Sequence, residues 1–207
     1  MTTREHIVET AIGLFNEHGT DNITTNHIID ALNISPGTFY YHYRNKEEII
    51  RKVFQRIKDD FARTITIDRD DMTFDSIVEN IRVLYGLYYT YRFFFVDIVM
   101  LLRRDEVLAD MYAENLNDRR ESLYHLFNML ADHGFIKRFD SDSSLRMFLH
   151  NMWIINDFWL SYLSVQTMAI TPDCVDDGMV QFFVFLRPYL TDEILPDIDR
   201  LLQNKGL

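Results

Sequence analysis

Apolar residues recur every three or four positions along most of the chain, which is the spacing of one face of an α-helix. The recurrence is clearest over residues 7–15, 49–61 and 77–88. No stretch alternates apolar and polar residues in the way that a half-buried β-strand does. The pattern therefore predicts an all-α protein with about nine or ten helices.

Residues 24–46 (TTNHIIDALNISPGTFYYHYRNK) predict two short helices joined by a tight turn. Asn33 suits the left-handed conformation that ends a helix. Ser35 suits the N-cap of the next helix, and Pro36 suits its first position because the missing N–H has no partner there. The arrangement is that of a helix-turn-helix, which reads DNA in most of its uses.

Capping side chains also predict the ends of the neighbouring helices. Thr2 and Glu5 can form a capping box for the first helix, and Gly19 ends it. Asn45 is expected to cap the helix after the helix-turn-helix, with Glu48 completing a second capping box. We expect that helix to be the only direct path from the N-terminal domain to the rest of the chain.

Residues 66–72 are polar and aperiodic, so we place a domain junction there. The expected organisation is an N-terminal helix-turn-helix domain over residues 1–47, a connecting helix over 48–65 and a helical C-terminal domain over 66–207. The helices predicted in that domain cover residues 74–90, 105–133, 144–168 and about 171–187. We expect the third of these to be buried, Thr171 and Pro172 to begin the fourth, and Pro188 to end or kink it.

Composition and charge limit the classes of function. The 207 residues are 47% hydrophobic, which is typical of a globular protein with its own core. The net charge of −11 is unusual for a DNA-binding protein, but residues 1–58 hold seven basic and seven acidic side chains, so the remaining residues carry all of it. A neutral N-terminal domain on an acidic body would orient the body away from a polyanion.

Other classes of function receive little support. One cysteine, Cys174, leaves no internal disulfide, and the N-terminus lacks the apolar segment of a secretory signal, so we expect a cytoplasmic protein. The apolar run over residues 152–170 contains polar side chains and predicts a buried helix and no membrane span. The seven histidines show no metal-ligand or catalytic spacing, so we expect no metal, no cofactor and no enzyme.

The helix-turn-helix residues resemble the DNA-binding domain of the TetR (tetracycline repressor) family of bacterial regulators. The resemblance covers about the first quarter of the chain and says little beyond residue 60. The positions that match the family signature are Gly19, Thr24, Thr25, Ile28, Ile34, Ser35, Gly37, Phe39, Tyr40, Tyr41, His42, Lys46 and Glu47.

The second helix of the motif is expected to turn Phe39 and Tyr43 inward, which leaves its first turn to approach base edges. The resemblance implies phosphate contacts from Thr25 and from the Tyr-Tyr-His run, although a packing role for the two tyrosines is the alternative. Lys46 has no evident internal partner, so we expect it at a phosphate rather than free in solvent. The predicted DNA-binding residues are Thr24, Thr25, Asn26, Ser35, Pro36, Gly37, Thr38, Tyr40, Tyr41, His42 and Lys46.

Aromatic residues concentrate over residues 84–95 (LYGLYYTYRFFF), and many of these rings carry a hydroxyl. The alternatives are an ordinary core and an apolar pocket with a few polar groups, which is the usual design of a small-molecule site. The resemblance implies an effector pocket in the C-terminal domain. The predicted pocket residues are Tyr85, Tyr88, Tyr89, Phe93, Met129, Asn151 and Ile155.

The last two long helices are rich in large apolar side chains. They can bury these side chains within one chain, but the resemblance implies that they form a four-helix dimer interface. A two-fold dimer places two DNA-reading helices in successive major grooves ~34–36 Å apart. The predicted interface residues are Trp153, Trp159, Val180, Phe183, Val184 and Arg187.

The sequence therefore predicts a dimeric, all-α regulator that binds double-stranded operator DNA. Of the two possible signs of regulation, we favour a repressor over an activator. A small apolar or amphipathic effector, with one hydrogen-bonding or cationic group, would release it by tilting the helix that follows Asn45. One rival is a helix-turn-helix adapter whose C-terminal domain binds a protein partner. The other is a helical enzyme that uses a histidine, which the absent catalytic spacings disfavour.

Overall fold

The structure, a computed structural model, describes residues 2–64, 72–167 and 169–203. Over these residues the chain forms eleven α-helices, one 3-10 helix and a single isolated β-bridge, which confirms the all-α prediction. The helix count exceeds nine or ten because the apolar stretch after Thr90 divides into two short helices at Asp97. The helices are α1 (Thr3–His18), α2 (Thr25–Leu32), α3 (Pro36–His42), α4 (Lys46–Thr64), α5 (Phe74–Thr90), α6 (Arg92–Val96), α7 (Ile98–Arg104), α8 (Glu106–Asp132), α9 (Asp142–Thr167), α10 (Cys174–Leu186) and α11 (Leu195–Gln203).

The helix ends of the N-terminal domain follow the predicted caps. Thr2 and Glu5 form both halves of a capping box, and Gly19 ends α1 with φ +77°. Asn33 ends α2 in the left-handed region, with φ 51°. Ser35 Oγ accepts the Thr38 amide at 3.1 Å and so caps α3. Local side-chain chemistry therefore determines this part of the fold.

The predicted second capping box is only half correct. Asn45 Oδ1 accepts the Glu48 amide at 2.9 Å, as expected. The Glu48 carboxylate, however, accepts the Arg44 amide at 2.8 Å and not the amide of Asn45. The Arg44 guanidinium lies 3.9 Å from the same carboxylate and favours this position. A complete box occurs instead on α2, where His27 takes the place of the usual Glu and its ring accepts the Thr24 amide.

The C-terminal helices start and end within a few residues of the predicted positions, with one exception. α10 begins at Cys174, and residues 171–174 form a turn closed by the Cys174 amide and the Thr171 carbonyl at 3.1 Å. Pro172 therefore lies in that turn and not in the first turn of α10. Near Pro188, α10 gives way to a 3-10 helix, Arg187–Tyr189, as predicted. Apart from Met72, the predicted junction over residues 66–72 lies outside the described residues.

The prediction that α9 is buried is wrong for one of its faces. The helix packs against α6, α8 and α10, and this face buries Phe148 and Leu160. The opposite face is open, and Val165 is 84% exposed there. Its members follow one another at helical spacing, so they form one stripe. The α9 stripe consists of Met147, Ile154, Phe158, Tyr162 and Val165.

Helix α4 is not the only connection between the N-terminal domain and the rest. The Asn16 side chain of α1 donates to the Thr90 carbonyl at 2.8 Å and accepts the Phe93 amide at 3.1 Å. The buried Thr20 hydroxyl donates to Asp97 at 2.9 Å. The end of α1 and the loop after it are therefore fastened directly to α5, α6 and the junction of α6 with α7. The sequence could not show these contacts because the partners lie more than 70 residues apart.

An ion pair also joins α4 to the start of α8. Arg51 Nε donates to Asp105 at 2.6 Å, and the Asp105 side chain, 6% exposed, also caps α8 through the Leu108 amide. Burial alone would raise the pKa of Asp105, but the hydrogen bonds from Arg51 and from the Leu108 amide outweigh it and hold the pKa below its usual value. The carboxylate is thus stabilised in the folded chain.

We expect Asp105→Asn to lower the free energy of unfolding by about 1–3 kcal/mol at neutral pH, because Asn can cap α8 but leaves Arg51 without its carboxylate. A carboxyl whose pKa falls on folding stabilises the protein above its unfolded pKa of about 3.9, and this stability is lost as the pH falls further. In urea titrations the difference from the parent should therefore shrink below about pH 4.

Asp118→Asn is the matched control, because Asp118 is exposed on the same helix. It should change the free energy of unfolding by less than about 0.5 kcal/mol. Equal losses in the two variants, or a difference that does not depend on pH, would contradict the stabilising role of the ion pair.

Candidate functional site

Helix α3 turns two aromatic rings inward and presents its first turn to solvent. Phe39 and Tyr43 are buried, which confirms the predicted orientation. Gly37 and Thr38 are exposed, and Tyr41 is 85% exposed. Because Gly37 has no side chain, the backbone of this turn can approach a partner closely.

Two pairs of hydroxyl groups lie on the exposed surface of α2 and α3. Thr25 Oγ1 and the Tyr40 hydroxyl are 3.3 Å apart, and they join the start of α2 to α3. Ser35 Oγ and Thr38 Oγ1 are 2.9 Å apart at the start of α3. In each pair one hydroxyl donates to the other, so one hydrogen remains for an outside acceptor such as a phosphate oxygen.

The remaining predicted DNA-binding residues are also accessible. Thr24 caps α2, and Asn26 and Pro36 are exposed in the first turns of α2 and α3. His42 is half-buried, with its ring packed edge-on against Tyr41 at 5.0 Å. The structure therefore brings the predicted residues to the surface of one helix-turn-helix and the first turn of α4.

The expectation that Lys46 lacks an internal partner is wrong. Its ammonium donates to the carbonyl of Thr20 at 2.6 Å and to the carbonyl of Ile23 at 3.0 Å. These bonds tie the first turn of α4 to the loop between α1 and α2. An ammonium has three N–H donors, so one remains for a phosphate. The phosphate contact of Lys46 stays a prediction.

Sequence reasoning missed three basic residues next to the reading helix. Arg4, Arg44 and Lys52 line a shallow surface depression together with Tyr40 and Tyr41. All three are exposed, and 89% of the Arg44 side chain is accessible. The signal in the sequence was a basic residue directly after the Tyr-Tyr-His-Tyr run. The proximity of Arg4, on α1, appears only in the fold.

A cavity of about 100 Å³ lies in the C-terminal domain between α5, α8, α9 and α10. Thr64, the last residue of α4, also lines it, so the cavity touches the helix that leads back to the N-terminal domain. Most of its wall is apolar, and its polar groups come mainly from α5, α8 and α9. The lining residues are Thr64, Ile77, Asn80, Ile81, Leu84, Tyr88, Arg119, Leu123, Leu126, Phe127, Leu130, Met152, Trp153, Asn156, Asp157, Phe182 and Leu186.

Of the seven predicted pocket residues, Tyr88 alone lines this cavity. Tyr85 lies behind the wall and donates to Asn156 at 2.5 Å. Phe93 packs on Phe15 of α1, 5.1 Å between ring centroids, and Asn151 is exposed. Three half-buried residues also lie outside the lining, namely Tyr89, Met129 and Ile155. Three of the helices named in the prediction line this cavity, but most of the predicted side chains do not, because aromatic density does not show which way each ring points.

The polar end of the cavity centres on Asp157, which is 2% exposed. Its carboxyl accepts the Tyr88 hydroxyl at 3.2 Å and the Tyr112 hydroxyl on its other oxygen. Trp153 Nε1 donates to the Tyr112 hydroxyl at 3.4 Å. Burial raises the pKa of Asp157, and Arg119 and the two hydroxyls act in the opposite direction. Sequence reasoning missed this group.

Arg119 lies between two aromatic rings beside this carboxyl. Its guanidinium carbon is 4.4 Å from the centroid of Trp153 and 5.1 Å from that of Phe61, which belongs to α4. The buried Nε of Arg119 has no hydrogen-bond partner within the part of the chain that the structure describes. A charged donor without an acceptor is therefore present at the polar end of the cavity.

The structure separates the six residues predicted for a dimer interface. Phe183 is 2% exposed and Trp153 lines the cavity, so neither lies on a free face of α9 or α10. The other four are half-buried or exposed, namely Trp159, Val180, Val184 and Arg187. Of these, Arg187 forms an ion pair with Asp199 of α11 at 2.8 Å. The apolar surface that is open to a second chain is the α9 stripe.

Neither a metal-binding cluster nor a membrane-spanning helix occurs in the described parts of the chain. No group of three or more His, Cys, Asp or Glu side chains there is arranged to hold a metal ion. No helix in those parts of the chain is long and apolar enough to cross a membrane.

Comparisons with known proteins identify the family. A family model described as "Bacterial regulatory proteins, tetR family" matches residues 7–53, and one described as "Bacterial transcriptional repressor" matches residues 42–197. The probable acrEF/envCD operon repressor of Escherichia coli K12 is 37% identical over 54 residues. That match covers 26% of this chain and 24% of the relative, so it concerns the N-terminal domain.

Solved structures extend the similarity to the whole fold. A TetR-family transcriptional regulator from Marinobacter aquaeolei VT8 is 31% identical, with a TM-score of 0.87 over 99% of this chain and 98% of the other. A transcriptional regulator from Saccharomonospora viridis in complex with choline is 18% identical, with a TM-score of 0.65 over 91% and 97%. The second comparison shows the fold alone.

We expect Lys46→Ala to lower the free energy of unfolding by about 1–3 kcal/mol, because two carbonyls at buried residues lose their donor. Lys52→Ala removes the same charge from an exposed position of α4 and should change stability by less than about 0.5 kcal/mol. Urea unfolding followed by circular dichroism measures both. If Lys46→Ala is as stable as Lys52→Ala, the bonds to the loop do not stabilise the fold.

Proposed function

The chain belongs to the TetR family of bacterial transcriptional regulators, and from that premise we propose that it binds operator DNA through α2 and α3 and acts as a repressor. The observation that carries this proposal is the exposed first turn of α3, held by the Ser35 cap and flanked by surface hydroxyls. Members of the family are transcriptional regulators and not enzymes, in agreement with the sequence prediction.

The geometry supports a division between positioning and reading. The Thr25–Tyr40 hydroxyl pair, Tyr41 and Arg44 are accessible donors, and such groups fix a protein on the phosphate backbone. Thr38 lies in the first turn of α3, the part of a reading helix that contacts base edges. Its hydroxyl or its methyl group can meet a base in the major groove.

We propose a homodimer that forms through the α9 stripe. Five large side chains along one helix face are more than scattered exposed hydrophobic residues, and such patches mark interaction sites. On α10, Val184 is also exposed, so a second copy can cover both helices. Two-fold symmetry then gives two reading helices that can occupy grooves ~34–36 Å apart.

Helix α4 supports a route from the cavity to the DNA. It is about 28 Å long at 1.5 Å per residue, and it runs from Lys46 at the reading domain to Thr64 at the cavity. Between these ends Phe54 stacks on Phe94 at 5.3 Å and Phe61 packs edge-on against Tyr88 at 4.9 Å. A ligand in the cavity that prefers another position of α4 would therefore change the spacing of the two reading domains.

The ligand can reduce operator affinity only as far as it binds one position of α4 more tightly than the other. A reduction of operator affinity above 100-fold requires a difference of ~3 kcal/mol or more in ligand affinity. A cavity with both polar and apolar walls supports an effector of this kind. The presence of this cavity favours a regulator with a small-molecule effector over an adapter, which would bind a protein partner through a C-terminal domain without a cavity.

The test of DNA binding is selection of an operator from genomic fragments with the purified protein, followed by titrations at several salt concentrations. Thr38→Ala should relax the preference at one base position per half-site by ~1–3 kcal/mol and leave the salt dependence nearly unchanged. Thr38→Ser, which keeps the hydroxyl, separates a hydroxyl contact from a methyl contact.

Arg44→Ala is the contrasting variant in the same titrations. It should weaken binding to all sequences nearly equally and reduce the log–log salt slope by about one per subunit. If the parent protein prefers no genomic fragment over scrambled DNA, the proposed regulator function is wrong. If Arg44→Ala changes the base preference instead, the orientation of α3 on DNA is wrong.

The dimer proposal predicts that Ile154→Glu combined with Phe158→Glu gives a folded monomer, because two charges would have to be buried in the interface. Light scattering measures the mass, and circular dichroism confirms that the helices remain. Val107→Glu, at a similarly exposed apolar position on α8, is the control and should stay dimeric. A double variant that is still dimeric at micromolar concentration would place the interface on another face.

A further inference from the structure

We propose that the cavity binds a small apolar carboxylate, with its carboxylate on Arg119 and its hydrocarbon part among the aliphatic side chains of α5 and α8. This inference rests on the proposed role of the C-terminal domain as an effector-binding domain. It specifies the chemical class of the effector and the residue that recognises it.

The first argument is the hydrogen bonding of Arg119. Its guanidinium is held by the ring faces of Trp153 and Phe61, and no described residue accepts a hydrogen bond from its buried Nε. A guanidinium has five N–H donors and no acceptor, and a buried donor normally has a hydrogen-bond partner. A carboxylate matches this donor geometry, because it can accept two parallel hydrogen bonds from one guanidinium.

The neighbouring carboxyl of Asp157 does not supply that acceptor. One of its oxygens accepts the Tyr88 hydroxyl, and the other accepts the Tyr112 hydroxyl. Among the described residues no ion pair joins Asp157 to Arg119 within 4 Å. Burial raises the pKa of Asp157 and the nearby charge of Arg119 lowers it, so the two groups interact without a direct hydrogen bond. Arg119 therefore keeps the capacity to bind an external anion.

The same arrangement disfavours a cationic ligand. At the polar end of the cavity the guanidinium already lies over the rings of Trp153 and Phe61, so a ligand cation cannot take that position. It would also be repelled there by Arg119 itself. A neutral ligand can fill the apolar part but leaves the Nε of Arg119 without an acceptor. The carboxylate is therefore the head group that fits.

The rest of the lining sets the size and polarity of the ligand. An engineered cavity of about 150 Å³ with apolar walls binds benzene, so the present volume of about 100 Å³ suits a hydrocarbon part of about four to six carbons. The aliphatic residues that surround it include Ile77, Ile81, Leu84, Leu123, Leu126 and Leu130.

The acidic character of the body does not oppose this assignment. Its net charge of −11 is spread over the surface, and charges more than about 8 Å away are largely screened at physiological salt. The ligand carboxylate would instead be in direct contact with Arg119. Hydrogen bonds between ionised partners are about twice as strong as neutral ones, so this contact decides the preference.

The position of Arg119 also connects the ligand to the DNA-reading domain. Its guanidinium lies over Phe61 of α4, and Thr64 of the same helix lines the cavity. A carboxylate that reorients Arg119 changes the surroundings of Phe61 directly. The end of the cavity that recognises the head group is therefore also the end that contacts α4.

The test is isothermal titration calorimetry of the full-length protein with hexanoate, 1-hexanol and hexyltrimethylammonium, which carry straight hydrocarbon chains of five or six carbons and differ in the head group. We expect hexanoate to bind at least tenfold more tightly than hexanol, because one charge-assisted hydrogen bond contributes at least a factor of about ten. We expect no measurable binding of the ammonium. Equal binding of hexanoate and hexanol, or preferred binding of the ammonium, would overturn the assignment.

Variants then test the role of Arg119. Arg119→Gln should remove the preference for hexanoate over hexanol, to within about twofold, while Arg119→Lys should retain part of it because the charge remains. Arg120→Gln, at the exposed neighbouring position, should retain all of it. Thermal unfolding of each variant checks the fold. If Arg119→Gln does not fold, the comparison of the three ligands on the parent protein still decides the proposal.

Operator titrations with and without hexanoate separate this inference from the proposed function. Sequence-specific DNA binding together with no preference for hexanoate would overturn the ligand class and leave the regulator intact. Selective hexanoate binding by a protein that prefers no operator would uphold the ligand site and contradict the regulator. Selective binding that leaves operator affinity unchanged would uphold the site and contradict effector release.

Discussion

Helix α4 is buried by two different groups of helices, and this double burial constrains the rest of the structure. Its apolar face, from Ile49 to Phe61, is almost fully inaccessible. At one end it packs against α1, and further along it packs against α5 and α8. Closely packed protein interiors do not deform continuously. A displacement of α4 therefore has to move the reading domain, the cavity wall or both, which makes this helix suited to transmit a signal.

Polar contacts hold the reading domain in a defined orientation around α4. Lys46 joins its first turn to the loop after α1, Thr20 of that loop bonds to Asp97, and Arg51 bonds to Asp105 at the start of α8. Each of these groups is at least half-buried, so losing a partner leaves an unpaired polar group out of water. Charges that a DNA-binding protein would be expected to place at phosphates thus also maintain its internal geometry.

The cavity shows how one arginine can link recognition and regulation. Arg119 is fixed by a ring from α9 and a ring from α4, next to a carboxyl whose two oxygens are already engaged. The polar end of the cavity is consequently made by α5, α8 and α9 and shared with α4. The aromatic cluster over residues 84–95 mostly contributes to packing around it, as in the contacts of Phe93 with Phe15 and of Phe94 with Phe54.

The sequence by itself determined the helices, their caps and the orientation of the reading helix. These features depend on residues three or four positions apart, such as Ser35 with Thr38 and Phe39 with Tyr43, and so they can be read from local spacing. The tertiary structure alone decided the partners of Lys46, the burial of Phe183 and the absence of a partner for the Nε of Arg119 among the described residues. Those outcomes depend on which helix faces meet across tens of residues, and an amphipathic pattern shows that a face is apolar without showing what covers it.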